Sequence, residues 1–204
     1  GKGNVTGELT VDFTIAANTV SDLEISGLVG KVYDGLPYQP KPTVKATLNG
    51  TITTLKEGTD YTLAYSCNGT AIAADAEFVN VGSYVIKATG KGNYAGQVAK
   101  ITVQIAPATL TALNTTEPAP ISFIYDGTAK TPTIESVEAA DVTVKLVQGT
   151  HYSVTYENAD GSSNKNPPKA AGTYTMRVTG KGNVTGELTV DFTIAANTVS
   201  DLEI

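Results

Sequence analysis

Residues Gly180–Ile204 read GKGNVTGELTVDFTIAANTVSDLEI, and Gly1–Ile25 read the same, letter for letter. The copies lie 179 residues apart, so the 204-residue chain holds one long period and a 25-residue overlap. Identity over such a window marks a tandem array of duplicated units. Inside the stretch, Leu188, Val190, Phe192 and Ile194 alternate with polar residues. That is the period-two pattern of a strand with one face turned inward. Gly180-Lys181-Gly182-Asn183, just ahead, is rich in residues that tolerate positive φ and predicts a turn. The stretch therefore reads as a last turn, a last strand and a handover to the next unit. The chain is expected to begin and end inside a unit.

A second, weaker repeat lies within the period. Val32-Tyr33-Asp34-Gly35 answers Ile124-Tyr125-Asp126-Gly127. The run Leu55 to Tyr65, with Gly58-Thr59-Asp60-Tyr61, answers Leu146 to Tyr156, with Gly149-Thr150-His151-Tyr152. Gly82-Ser83-Tyr84 through Gly90-Lys91-Gly92-Asn93 answers Gly172-Thr173-Tyr174 through Gly180-Lys181-Gly182-Asn183. The offsets drift by single residues, as loops and bulges allow. Two homologous domains follow, 19–107 and 108–196. Residues 1–18 read as the terminal strand of a preceding repeat, and 197–204 as the first strand of the next.

The local pattern is β throughout. Tyr61, Leu63 and Tyr65, and Tyr152, Val154 and Tyr156, alternate with small or polar residues; Tyr84, Ile86 and Ala88, and Tyr174, Met176 and Val178, do the same. Asn49-Gly50 and Asn68-Gly69 between alternating runs are strong hairpin signals. A two-residue loop at Asn68-Gly69 sets Tyr65 opposite Ile72 and Cys67 opposite Thr70, with Cys67 inward. Val98 falls out of phase with Ile101, Val103 and Ile105, which predicts a bulge near Ala99–Lys100. Glu157–Lys169, with two prolines, reads as an exposed loop. Glu135–Ala140 is the best helical candidate and reads as a loop. Many short strands with turns between them predict an all-β chain of tandem Ig-like antiparallel sandwiches. The links Ile194-Ala195-Ala196-Asn197 and Ile105-Ala106-Pro107-Ala108 lack Gly or Ser spacers, so the domains should join end to end as a rod.

A net charge of −6 and a pI near 4.8 argue against nucleic acid, which needs a basic stripe. They also argue against an anionic membrane surface. No run approaches the 18 apolar residues of a spanning helix, so no membrane insertion is expected in this segment. The single cysteine, Cys67, rules out an intrachain disulfide. That fits an intracellular protein, or a bacterial surface protein built without disulfides.

Tyr-Asp-Gly, then Leu-x-x-Gly-Thr-Asp-Tyr, Gly-x-Tyr, Gly-Lys-Gly-Asn-Tyr and a final Phe-Thr-Ile strand resemble the Ig-like YDG or MBG-type repeats of bacterial surface proteins. The resemblance spans both domains. It implies an extracellular location on the cell surface, in the stalk of an adhesin or fibre. The second repeat departs from it at His151, where the first has Asp60, and at Val184, where the first has Tyr94.

Candidate chemistry is sparse. His151 is the one histidine, outward by period, and reads as a solvated strand-edge residue rather than a catalytic base. Cys67 reads as a buried, inert thiol. Asp34 and Asp126 invite a calcium reading, but Asp before Gly is first a turn device. Asn158, Asp160 and Asn164 imitate a calcium loop without the spacing of an EF-hand. Lys45, Lys87, Lys91 and Lys181, with Asp12 and Asp191, take outward or turn positions, so nothing assembles a Lys–Asn cross-link on a core face. Asn4, Asn49, Asn68, Asn114 and Asn183 match the N-x-Thr acceptor pattern, as a Thr-rich chain does by chance. Tyr61, Tyr65, Tyr84, Tyr152, Tyr156 and Tyr174 read as core, while Tyr38 and Tyr94 are freer.

No catalytic, cofactor-binding or metal residue is assigned, and no enzyme activity is expected. The function expected is a structural stalk or spacer repeat whose partners are neighbouring repeats, end to end. The alternative is a module that binds host glycan or protein through Tyr38, Tyr94 and the 157–169 loop. A third class, an enzyme, would be revealed by hydrolytic activity lost in His151→Ala. Residues 1–18 are further expected to pair with the segment around 197–204 of a neighbouring copy.

Overall fold

The structure is a computed structural model that describes residues 3–15, 22–48 and 50–198. Asn49 and most of the predicted strand at 197–204 lie outside these residues, as do parts of the 1–18 segment. The expected pairing of 1–18 with 197–204 falls largely there too.

Among the described residues, the regular elements are strands and one short 3-10 turn at Gly92–Tyr94. The first repeat holds β1 (Asp22–Ser26), β2 (Lys31–Val32), β3 (Thr43–Leu48), β4 (Thr51–Thr54), β5 (Tyr61–Cys67), β6 (Thr70–Ile72), β7 (Gly82–Gly90) and β8 (Val98–Ala106). The second holds β9 (Ala108–Thr115), β10 (Ile121–Ile124), β11 (Ile134–Ala139), β12 (Tyr152–Asn158), β13 (Ser163–Asn164), β14 (Gly172–Gly180), β15 (Val184–Thr185) and β16 (Glu187–Ala195).

Among the described residues, each repeat carries one three-stranded and one five-stranded sheet. The large sheets run β2-β8-β7-β5-β6 and β10-β16-β14-β12-β13, the same order in both repeats. In each, a short early strand pairs in parallel with the last one: Lys31 with Ile105, and Ile121 with Phe192. The small sheets are β1-β3-β4 and β11-β9-β15. This is an Ig-like sandwich architecture with a topology of its own. In the first repeat, the third strand of the small sheet follows the second directly by a hairpin.

Two compact units divide the chain. The first comprises Gly1–Gly27, Lys41–Ala64 and Ile86–Ile101; its buried residues include Ile25, Val44, Ala46, Leu55, Tyr61, Ile86 and Ala88. The second comprises Leu28–Pro40, Tyr65–Val85 and Thr102–Ile204. Its core gathers Ile121, Tyr156, Tyr174, Met176, Phe192 and Ile194, with Leu113, Phe123 and Val190 against them. Phe192 meets Tyr174 at 5.6 Å, Phe123 at 6.0 Å and Tyr156 at 6.4 Å between ring centroids. Tyrosines carry this core because the chain has no Trp and four Phe. Their phenols still need partners when buried.

The Asn68-Gly69 hairpin forms as its sequence dictates. Tyr65 pairs with Ile72 and Cys67 with Thr70. Asn68 and Gly69 take φ of 48° and 84°, the double positive of a type I′ turn. Cys67 sits at the hairpin end and is half-buried rather than buried.

Other expectations are corrected. Glu135–Ala140 is neither helix nor loop: Glu135–Ala139 lies in β11, paired to β9 with two register shifts, and Ala140 begins the turn after it. Val137 and Ala139 face inward there while Glu138 points out. Pairing with β9 outweighs the weak helical preference of Glu and Ala. The segment 157–169 is not wholly an exposed loop. Ser163–Asn164 returns as β13 against Tyr156 and Glu157, and Pro168 is buried with its carbonyl accepting from the Lys130 amide. In β8, burial alternates without interruption from Ala99 to Ala106, and Val98 is simply exposed. The additional residue of the first repeat sits in the turn. Gly90 closes its turn onto Gln97, whereas Gly180 closes onto Gly186. A turn absorbs one residue without shifting inward side chains, as a bulge would.

Residues 5–15 belong to no strand, although they repeat 184–194 letter for letter. Leu9, Val11, Phe13 and Ile15 are exposed. Their twins in β15 and β16 have partner strands to close the backbone and cover the apolar face.

Candidate functional site

Three pieces of repeated hardware and one joint account for the motifs. The first piece is the Tyr-Asp-Gly turn. Asp34 Oδ1 accepts from the Leu36 amide at 2.9 Å, and both carboxylate oxygens accept from Lys31 Nζ at 2.7 Å. Asp126 accepts from the Thr128 amide at 2.9 Å, the Thr128 hydroxyl at 2.6 Å and Lys130 Nζ at 2.5 Å. Gly35 and Gly127, at φ of 80° and 82°, complete the turns. Each lysine, followed by the turn amide or hydroxyl, holds its carboxyl below the usual range. The two lysines come from opposite sides of the motif, Lys31 before it and Lys130 after it.

The second piece is a clasp between Gly-Thr-x-Tyr and Gly-Lys-Gly-Asn. Lys91 Nζ donates to Gly58 O and Lys181 Nζ to Gly149 O, both at 2.7 Å. The Lys91 amide donates to Asp60 O at 2.7 Å, and the Lys181 amide to His151 O at 2.8 Å. Asp60 Oδ2 accepts from the Lys56 amide at 2.8 Å, and His151 Nδ1 accepts from the Val147 amide at 2.9 Å. His151 thus performs the same local task as Asp60: a side-chain acceptor ends the loop that feeds β5 or β12.

The third piece is a tyrosine corner. Tyr84 Oη donates to Asn80 O at 2.7 Å, and Tyr174 Oη to Ala170 O at 2.9 Å. A tyrosine near the start of a late strand, here β7 or β14, bonded back to the chain just upstream, is an Ig-sandwich signature. Burial, then the neighbouring Cys67 thiol, push the Tyr84 phenol up to about 12.

The joint lies within the second compact unit, where the first repeat meets the second. Asn183 reaches across with its side-chain amide. Its Oδ1 accepts from the Val81 amide at 2.8 Å, and its Nδ2 donates to Asn80 Oδ1 at 2.8 Å. Its carbonyl accepts from the Ala108 amide at the start of β9. Beside it, Asp34 O accepts from the Thr143 amide, and Gly35 abuts Val144 so closely that a side chain has no room there. Sequence reasoning assigned Asn183 to a turn and missed this role; the repeated Gly-Lys-Gly-Asn was the available signal.

The remaining candidates are dispersed. Tyr38 is not free: it exchanges backbone hydrogen bonds with Phe78, packs edge-on against its ring at 6.3 Å, and lies under Lys31. Tyr94 sits in the first unit's 3-10 turn, whereas Tyr38 and the 157–169 loop belong to the second unit. Asp160 accepts from the Ser162 amide and hydroxyl in a self-contained turn. Asp191 accepts from Thr175. Asn68 and Asn114 spend their amides on Ser83 and on Ser136 with Glu138. Among the described residues, no polar or charged residue is buried, and no group of three His, Cys, Asp or Glu could hold a metal. No described helix is long and apolar enough to cross a membrane.

No protein-family model matches the chain. No curated protein matches it either. Among solved structures, a titin structure is 13% identical over 88% of this chain and 100% of its own, with a TM-score of 0.35. The fibronectin(III)-like modules of Clostridium thermocellum CbhA are 18% identical over 85% and 94%, at 0.29. The tandem Ig repeats of Dlar are 10% identical over 86% and 98%, at 0.25. These likenesses are distant. The sheets and the tyrosine corners define the class, an Ig-like β-sandwich repeat. That is consistent with a structural repeat module.

Proposed function

We propose that the chain is a spacer in the stalk of a bacterial surface adhesin or fibre of the YDG or MBG type. Its modules are 19–107 and 108–196, stacked end to end outside the cell. The observation that carries this reading is where the repeated residues go. Tyr-Asp-Gly, Gly-Thr-x-Tyr, Gly-x-Tyr and Gly-Lys-Gly-Asn are all consumed in holding turns, strands and the joint. Repeated residues kept for a ligand would instead converge on an exposed surface. The acidic charge serves solubility and keeps such stalks apart. The modules carry no reaction and no cofactor.

The reading is tested by displaying a small binder on a cell surface through one or more 179-residue periods. A spacer lets the binder reach further through a surface polymer coat as periods are added. The chain alone, without the binder, should capture no glycan or host protein. Saturable capture by the chain alone would replace the spacer reading with the binding-module one.

A further inference from the structure

The two repeats end in equivalent surfaces, and they are covered differently. At the end of the first repeat, Asn183, Thr143 and Val144 sit on Asn80, Val81, Asp34 and Gly35, and Tyr33 is 4% exposed. The repeat offsets match these positions to Tyr125, Asp126, Gly127, Ala170 and Ala171 at the end of the second repeat. There Tyr125 is 41% exposed, and a side chain at Gly127 would meet nothing within 4 Å. Tyr125, Lys169, Ala170, Ala171, Ala196 and Asn197 line an open pocket of about 440 Å³.

The covering residues also have counterparts. Asn183 of the second Gly-Lys-Gly-Asn matches Asn93 of the first, and Thr143 and Val144 match Ile52 and Thr53 through the Leu55–Leu146 alignment. Asn93 is exposed, and Ile52 is 66% exposed. So one chain presents an uncovered counterpart of the first turn and, exposed on β4 and the Asn93 turn, the residues matched to those that cover it, although Thr143 and Val144 belong to no strand.

We propose that the Tyr125–Ala171 pocket is a docking socket for the Asn93 turn and Ile52 of a second copy of this chain, head to tail. This rests on the repeat-module reading and adds its contact residues. The Ala171 amide, matching that of Val81, donates to Asn93 Oδ1. Ile52, the match of Thr143, meets the Asp126 turn, and Thr53, the match of Val144, meets Gly127. Ala170 replaces Asn80, so the second hydrogen bond of the pair is missing and this joint is the weaker one. A contact of this size is weak between free chains and strong only at the high local concentration of a linked array.

The test is an amide NMR titration of the ¹⁵N-labelled chain, raised to about 1 mM, where small interfaces become populated. The Ala171 backbone amide and the Asn93 side-chain amide should shift with concentration. Val81, already held by Asn183, should not. Asn93→Ala, at an exposed position, should fold normally and abolish the Ala171 shift. Ala170→Asn should restore the missing hydrogen bond and tighten association roughly 2- to 10-fold. An Ala171 amide that stays silent in the parent chain, or a shift that survives Asn93→Ala, overturns the socket. A silent Ala171 in a chain whose repeats still unfold as separate steps condemns the socket alone and leaves the repeat-module reading standing.

Discussion

At the residue scale, the phenol of the tyrosine corner carries more than its ring. Tyr174→Phe keeps the buried ring but orphans Ala170 O, and should cost about 0.5–1.5 kcal/mol in urea unfolding. Tyr84→Phe should cost a similar amount and also alter the alkaline limb. The Tyr84 phenol is raised from 10.0 to about 12 by burial and then by Cys67. A folded value above the unfolded one means that this contribution is whole below pH 10 and is lost as pH rises through about 12. Burial moves Tyr61 and Tyr152 the same way. Stability of Tyr84→Phe should therefore fall less between about pH 10 and about pH 12 than that of the parent. An equal fall in both would contradict the assignment. His151 offers a second residue test. His151→Ala removes the acceptor for the Val147 amide and should cost about 1 kcal/mol, whereas His151→Asp restores the Asp60 arrangement and should come close to neutral. Both are read from urea midpoints. That His151 and Asp60 share a task was not legible, because the two side chains look unrelated until the amide each one caps is known.

At the element scale, one sequence takes two conformations in the same molecule. Residues 184–194 make β15 and most of β16, while the identical 5–15 make no strand. Alternation specifies which face a strand would bury, but strands also need partners for their backbone groups. Here β10 and β14 flank β16. A matched pair of substitutions follows. Phe192, 1% exposed among three aromatic rings, should cost about 3–5 kcal/mol on change to Ala. Phe13, 81% exposed, should change stability by less than about 0.5 kcal/mol. Similar losses from the two would mean that 5–15 is folded against something in solution. Alternation and Asn-Gly turns made most strands and the 68–69 hairpin legible. Phe78 was not, because it is buried through an isolated bridge to Tyr38 rather than a periodic strand. Residues 135–140 were not, because their preference is weak and β9 decides.

At the scale of the whole molecule, the sequence's repetition and the structure's hardware coincide. The large sheets share one order, and each repeat has its own clasp, turn and corner. The small sheets differ: β4 completes one, and β15 the other. The joint was invisible in the sequence because it joins residues more than a hundred positions apart, Val81 with Asn183. Its Asn looks like one more turn residue.

The proposed spacer role requires that each repeat unfold on its own, and stretching the chain by its ends in an optical trap tests this most directly. The account predicts two cooperative unfolding steps, each releasing roughly 250–300 Å of chain, as modules of this length require. A single step for the whole chain, or steps whose lengths do not match 19–107 and 108–196, would contradict it.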